Sequence, residues 1–136
     1  DLDKYARSAI YVRTHLLAKA NTEKDILEAL RAGRAYFAWD MVADSTGFVY
    51  MAEGASGRAV MGESIPLDPA LTLTAFCPYE CKFELMRNGI KVDEKRGRTY
   101  SYKPADNGKY RLEVSLNVLG KDVLWLLTNP IAVDAP

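Results

Sequence analysis

Asp106-Asn107-Gly108-Lys109-Tyr110-Arg111-Leu112-Glu113-Val114 is the stretch that decides the fold. Asn107 and Gly108 supply a tight turn, because both tolerate backbone conformations that other residues avoid. From Lys109 polar and apolar residues alternate, which puts Tyr110, Leu112 and Val114 on one face of a strand. A tyrosine delivered into a strand straight after such a turn is a tyrosine corner. Its ring packs at the rim of the core while its hydroxyl bonds back to upstream backbone. The stretch identifies an architecture and carries no chemistry of its own, since folds closed in this way host many unrelated functions.

The same texture extends outward from it. From Arg34 onward, short alternating or apolar runs are separated by glycine, asparagine and proline, the pattern of an all-β domain. Strands are expected near Ala35 to Asp40, Phe48 to Glu53, Leu71 to Phe76, Lys82 to Arg87, Ile90 to Lys95, Thr99 to Lys103, Tyr110 to Leu116, and Val123 to Val133 with a break at Asn129-Pro130. Asn88-Gly89 between Phe83-Glu84-Leu85-Met86 and Ile90-Lys91-Val92 predicts a two-residue type I′ hairpin. Pro130 lacks a ladder donor and belongs at a sheet edge or bend. Gly54-Ala55-Ser56-Gly57-Arg58 follows a strand without opening a helix, so it reads as a flexible hairpin tip rather than a phosphate cradle.

Ahead of this region, Ser8 to Leu17 is rich in β-branched and aromatic residues and reads as extended. A helix of about ten residues follows: Thr22 caps with Asp25 three residues on, Ile26, Leu27 and Leu30 share a face, and Gly33 stops it. The expected fold class is mainly β, an immunoglobulin-like β-sandwich over residues 34–136, preceded in residues 1–33 by the extended segment and the short helix. Leu112 stands where an antibody-type domain has its second inter-sheet cysteine.

A chain of 136 residues fits one domain and can bury a core without disulfides or metal. Eighteen basic and eighteen acidic residues leave no basic field for a phosphate backbone, so nucleic acid is not an expected partner. No apolar run approaches the roughly 18 residues needed for a transmembrane helix. The first residues lack the basic-then-apolar order of a signal peptide. Asp1 in place of methionine fits a fragment or processed chain, so any export signal would lie upstream, and the compartment is left unknown.

Cys77 and Cys81 flank Pro78-Tyr79-Glu80 in what reads as a strand-to-strand turn, where they can be free thiols or a local disulfide. A zinc site would need two more ligands. His15 is the single histidine. A Ser-His-Asp arrangement can be written around it, yet no Gly-x-Ser-x-Gly elbow presents a serine, and a structural or interfacial role is the favoured reading. Asp40, Asp44 and Glu53 could in principle supply two carboxylates for glycosidase chemistry, but aspartates at strand ends usually cap turns. Trp39, Trp125, Tyr36, Tyr50 and Tyr79 could stack against sugars. Trp39 shares a face with Phe37, and Trp125 lies between Leu124 and Leu126, so core burial competes with that role.

Several segments in order carry a resemblance: Thr14-His15-Leu16-Leu17, Ile26-Leu27-Glu28-Ala29-Leu30-Arg31-Ala32-Gly33-Arg34-Ala35-Tyr36, Gly47-Phe48, Ala52-Glu53-Gly54, Met61-Gly62, Leu85-Met86-Arg87-Asn88-Gly89, Gly108-Lys109-Tyr110-Arg111-Leu112-Glu113 and Thr128-Asn129-Pro130-Ile131. From about Ser8 to Val133 the chain resembles the region that follows the catalytic core in bacterial PHP-type (polymerase and histidinol phosphatase) metal-dependent phosphoesterases. In that family the metals are held by upstream motifs such as His-x-His, which do not occur here. The resemblance therefore implies an accessory C-terminal domain with no catalytic, metal or cofactor residues of its own, whose partner is the catalytic domain of the parent protein. Residues 1–33 would form the junction to it. Tyr11, His15, Trp39 and Trp125 are the candidate ligand or domain-interface residues, and an apolar patch is expected near Tyr11 and His15. The alternative is a carbohydrate- or ligand-binding β-sandwich module that uses exposed aromatics.

Overall fold

The computed structural model describes residues 11–135. Its strands are β1 (Arg13–Leu16), β2 (Ala35–Ala38), β3 (Val49–Gly54), β4 (Gly57–Val60), β5 (Ser64–Pro66), β6 (Thr72–Arg87), β7 (Ile90–Tyr102), β8 (Gly108–Val118), β9 (Lys121–Thr128) and β10 (Ile131–Asp134), with helix α1 (Glu23–Ala32) between β1 and β2. The fold is mainly β. All ten strands hydrogen-bond into one curled sheet, antiparallel except where β10 runs parallel to β5.

Strand β6 directs the curl. Its first part, Thr72 to Phe76, pairs with β3, whereas Lys82 to Arg87 pairs with β8. On its other side β7 accompanies it along both parts. The neighbour thus changes from β3 to β8 where the chain bends, and the two arms run β6-β3-β4 and β6-β8-β9-β2-β1. Apolar residues on the inward faces of both arms meet in one core, with Tyr50, Phe83, Tyr100, Tyr110, Leu112 and Trp125 at most 2% exposed.

Tyr110 forms the expected corner. Its hydroxyl donates to the Asp106 carbonyl at 2.7 Å while the ring is buried, and the Tyr50 hydroxyl donates to the Tyr110 carbonyl at 3.1 Å. Arg87 fastens the turn from outside, with Nε donating to the Asn107 carbonyl and Nη1 to the Asp106 carboxylate. Leu112 is wholly buried and its backbone N–H donates to the Thr128 hydroxyl. Asn88 and Gly89 both have positive φ, 50° and 86°, and join β6 to β7 as the dipeptide predicts. Pro130 sits at the bend between β9 and β10.

Helix α1 also follows its sequence signals. Thr22 Oγ1 accepts from the Asp25 N–H, and Gly33, at φ 70°, closes the C-terminus by donating to the Leu30 carbonyl while the Arg34 N–H reaches Ala29. The helix end rests on Gly62. A Cβ there would fall on the Ala32 carbonyl oxygen, so only glycine permits the contact.

Three expectations are corrected. The stretches Leu71 to Phe76 and Lys82 to Arg87 belong to one strand interrupted by a wide bulge, and Ile90 to Lys95 and Thr99 to Lys103 are likewise one strand, because β6 and β7 remain paired on both sides of the bend. Gly54 to Arg58 does hold the expected hairpin tip, at Ala55-Ser56, with Glu53 opposite Arg58 and the strand β4 following it. Strand β5 was not expected at all. It is held by β10, far away in sequence. Of the extended segment Ser8 to Leu17, the strand occupies Arg13–Leu16; Ser8 to Ile10 lie outside the described residues.

Candidate functional site

The loop of residues 39–48, which follows β2, gathers three of the four candidate residues. Strand β1 pairs with β2 so that His15 lies opposite Tyr36, and the two rings stack with centroids 4.7 Å apart and planes within 7°. The imidazole edge then faces the loop. Its Nε2 is 2.9 Å from Asp40 Oδ2 and 3.0 Å from Ser45 Oγ, and the Ser45 hydroxyl donates to Asp40 Oδ1 at 2.8 Å. Ser45 is wholly buried and the Asp40 side chain nearly so. Arg13, two residues before His15 on β1, adds a guanidinium 3.8 Å from Asp40 Oδ2. Burial pushes the Tyr36 phenol upward, and the charges of Asp40 and Asp44 add to it against the opposing bond to Ser45.

These are the residue types of a hydrolytic triad in a different arrangement. A general-base histidine needs one ring nitrogen on the nucleophile and the other on the orienting carboxylate. Here the serine and the carboxylate both address Nε2. The Ser45 hydrogen points to Asp40 Oδ1, and a bare Nε2 lone pair 2.9 Å from Oδ2 would be repelled, so Nε2 carries hydrogen and donates to Asp40. A nitrogen that already carries a hydrogen has no lone pair with which to take the serine's proton. The cluster acts as a clamp between the edge strand β1 and the loop.

The other carboxylates are engaged elsewhere. Asp44 Oδ1 accepts from the Thr46 hydroxyl at 2.7 Å and the Thr46 N–H at 2.9 Å, bonds that lower its pKa and make it a local turn cap. Glu53 pairs with Arg58 across the β3–β4 hairpin.

Trp125 approaches the same loop from the core, and Trp39 begins it. Trp125 is fully buried, and its indole N–H donates to the Ala43 carbonyl at 2.9 Å. Trp39 is partly buried against the core, meets Phe37 edge to face, and donates its backbone N–H to the Trp125 carbonyl. The two rings therefore do not form an exposed stacking platform. Tyr79 covers Trp125 edge-on from the β6 bulge, with centroids 5.8 Å apart.

Tyr11, 39% exposed, lies on the approach to β1 beside Val12, which is equally open. Helix α1 buries Ala29 but leaves Leu27 and Leu30 40% and 51% exposed. A hollow of about 540 Å³ lies along Leu27 and Arg31, and another of about 410 Å³ between Leu16 and Ile26.

Sequence reading had His15 and Asp40 separately but missed Ser45. Its partners are thirty and five residues away, and no local motif marks it. Against protein-family models, curated proteins and solved structures, the chain gives no match.

Proposed function

We propose that this chain is an accessory, non-catalytic domain of an immunoglobulin-like sandwich type, from the C-terminal part of a PHP-type metal-dependent phosphoesterase, and that it packs on the catalytic domain of the parent protein. The observation that carries the reading is the exposure of apolar side chains on the N-terminal elements: Tyr11 and Val12 before β1, and Leu27 and Leu30 on α1. An amphipathic helix normally buries its leucines, and here two of them wait for a second surface. The ordered motifs support the same reading. The clamp at His15, Asp40 and Ser45 fits it too, because it fixes the strand that leads toward the partner instead of activating a nucleophile.

The test is reconstitution. The region encoded ahead of Asp1 is expected to carry His-x-His and Asp-x-His motifs, and when expressed separately it should bind this chain in a calorimetric titration. Leu27→Asp combined with Leu30→Asp should weaken that binding by at least about tenfold. Absence of binding by the wild-type chain, or turnover of phosphomonoesters or phosphodiesters by this chain alone with manganese or zinc, would overturn the proposal.

A further inference from the structure

Two cations on α1 border its exposed leucines, and nothing in the described fold answers them. Leu27 and Leu30 are 40% and 51% exposed. Lys24 stands three residues before Leu27 and Arg31 four residues after it, so all three share one stripe of the helix. Together with Thr22 and Glu23 they line the hollow of about 540 Å³. Neither Lys24 nor Arg31 has an ion-pair or hydrogen-bond partner among the described residues, whereas Glu28 is taken up by Arg34 and Lys19. Lys24 also sits in the first turn, where the helix dipole disfavours a cation. A surface that is apolar in the middle, cationic on either side and lined by Glu23 as its single acid suits an apolar element that carries carboxylates.

The chain itself supplies one. The ten residues ahead of Tyr11 read Asp1-Leu2-Asp3-Lys4-Tyr5-Ala6-Arg7-Ser8-Ala9-Ile10, and apolar residues recur in them at intervals of three and four. Wound as a helix, they would gather Leu2, Tyr5, Ala6, Ala9 and Ile10 on one face, with Asp1 and Asp3 at its two margins and Lys4 and Arg7 behind. Tyr11 has a helical backbone and leads into β1, which lies beside α1. Ten helical residues span about 15 Å, which matches the ten-residue α1.

We propose that residues 1–10 are an intrachain strap along the outer face of α1, covering Leu27 and Leu30 with Leu2 and Tyr5 and answering Lys24 and Arg31 with Asp1 and Asp3. The strap shares its surface with the docking role, yet it needs no second protein. In this chain it is tethered only at Tyr11, so it seats and lifts. In the parent protein a catalytic domain ahead of it would hold its other end as well, which raises its effective concentration at α1 and makes it the first layer of the docked interface. Charge sets its seat, because a strap with basic margins would be repelled by Lys24 and Arg31.

The experiment places a nitroxide on the polar side of the strap, through Ser8→Cys in the full chain, and reads paramagnetic broadening of backbone amides. Cys77 and Cys81, at 0% and 3% exposure, stay unlabelled in the folded protein. Broadening is expected at Leu27, Leu30 and Arg31 and absent from the Asn88-Gly89 and Leu119-Gly120 hairpins. Lys24→Glu with Arg31→Glu should lose it, and Asp1→Lys with Asp3→Lys added to that variant should bring it back. Leu2→Asp with Tyr5→Asp should lose it too while leaving every described residue in place, so the loss is not one of folding. No broadening at α1, broadening spread evenly or centred on another face, or broadening that survives the charge reversal or the loss of Leu2 and Tyr5 would each overturn the proposal. Because no second protein is present, the strap can fail while the reconstitution titration succeeds, or hold while it fails.

Discussion

Replacing Ser45 by alanine separates a clamp from a catalytic group. The hydroxyl is wholly buried and holds Asp40 Oδ1 at 2.8 Å while lying 3.0 Å from His15 Nε2. Alanine leaves a carboxylate oxygen in a side chain only 6% exposed without its donor. A hydrogen bond to a charged group contributes about 1.5–3 kcal/mol, and an orphaned buried acceptor costs a comparable amount, so the expected loss is about 2 kcal/mol. With an unfolding entropy near 0.3 kcal/mol per kelvin for a chain of this length, Tm should fall by about 7 °C. Thermal unfolding followed by circular dichroism measures this. The double variant with His15→Ala should be less destabilised than the sum of the singles, because both residues act on the same carboxylate. An unchanged or raised Tm would refute the reasoning, since catalytic residues are often held at a cost to stability and their removal relieves it.

Tyr110→Phe keeps the buried ring and removes only the 2.7 Å bond to the Asp106 carbonyl, so urea unfolding should show a loss of about 1 kcal/mol with an unchanged m value. Gly62→Ala should be far worse, combining positive φ with a Cβ placed on the Ala32 carbonyl; the expected result is a chain whose α1 helicity and cooperative unfolding are both lost. Acid should weaken the ladder of charges on β6, β7 and β9. Burial alone would raise the Glu84 pKa, but Lys82 and Lys91 reverse it, and Arg96 lowers that of Asp122. With folded values below unfolded ones, their stabilisation is present above the unfolded pKa near 4 and is lost as pH falls through the folded values. Urea midpoints should therefore fall below about pH 4, less steeply in Lys91→Gln and Arg96→Gln.

What could be read from the sequence was what short-range chemistry determines. Thr22 and Gly33 bound α1, Asn88-Gly89 turn β6 into β7, and Tyr110 finds a carbonyl four residues back, all through contacts inside one turn or one hairpin. The failures are long-range. Strand β5 is three residues long and exists because β10 lies beside it, so its own composition carries no strand signal. Strand β4 was concealed by the glycines that make its hairpin possible. The Cys77 to Cys81 stretch carries the proline of a turn, and both of its thiols are free and buried. What local pattern did not reveal is that β7 spans the bend and keeps β6 one strand. At the candidate site, His15 and Asp40 stood out as chemical types, but their alignment depends on β1 pairing with β2, and Ser45 gained meaning only when the loop folded over both.

The central claim, that the N-terminal side of this domain docks on a catalytic partner, is tested most directly by hydrogen exchange. Backbone amides of α1 and β1 are compared between this 136-residue chain and the longer protein proposed to contain it. Docking over Leu27 and Leu30 predicts exchange slowed at least about tenfold across α1 in the longer protein, with β4 and the Asn88-Gly89 hairpin unaffected. Equal exchange rates for α1 in the two proteins would contradict it.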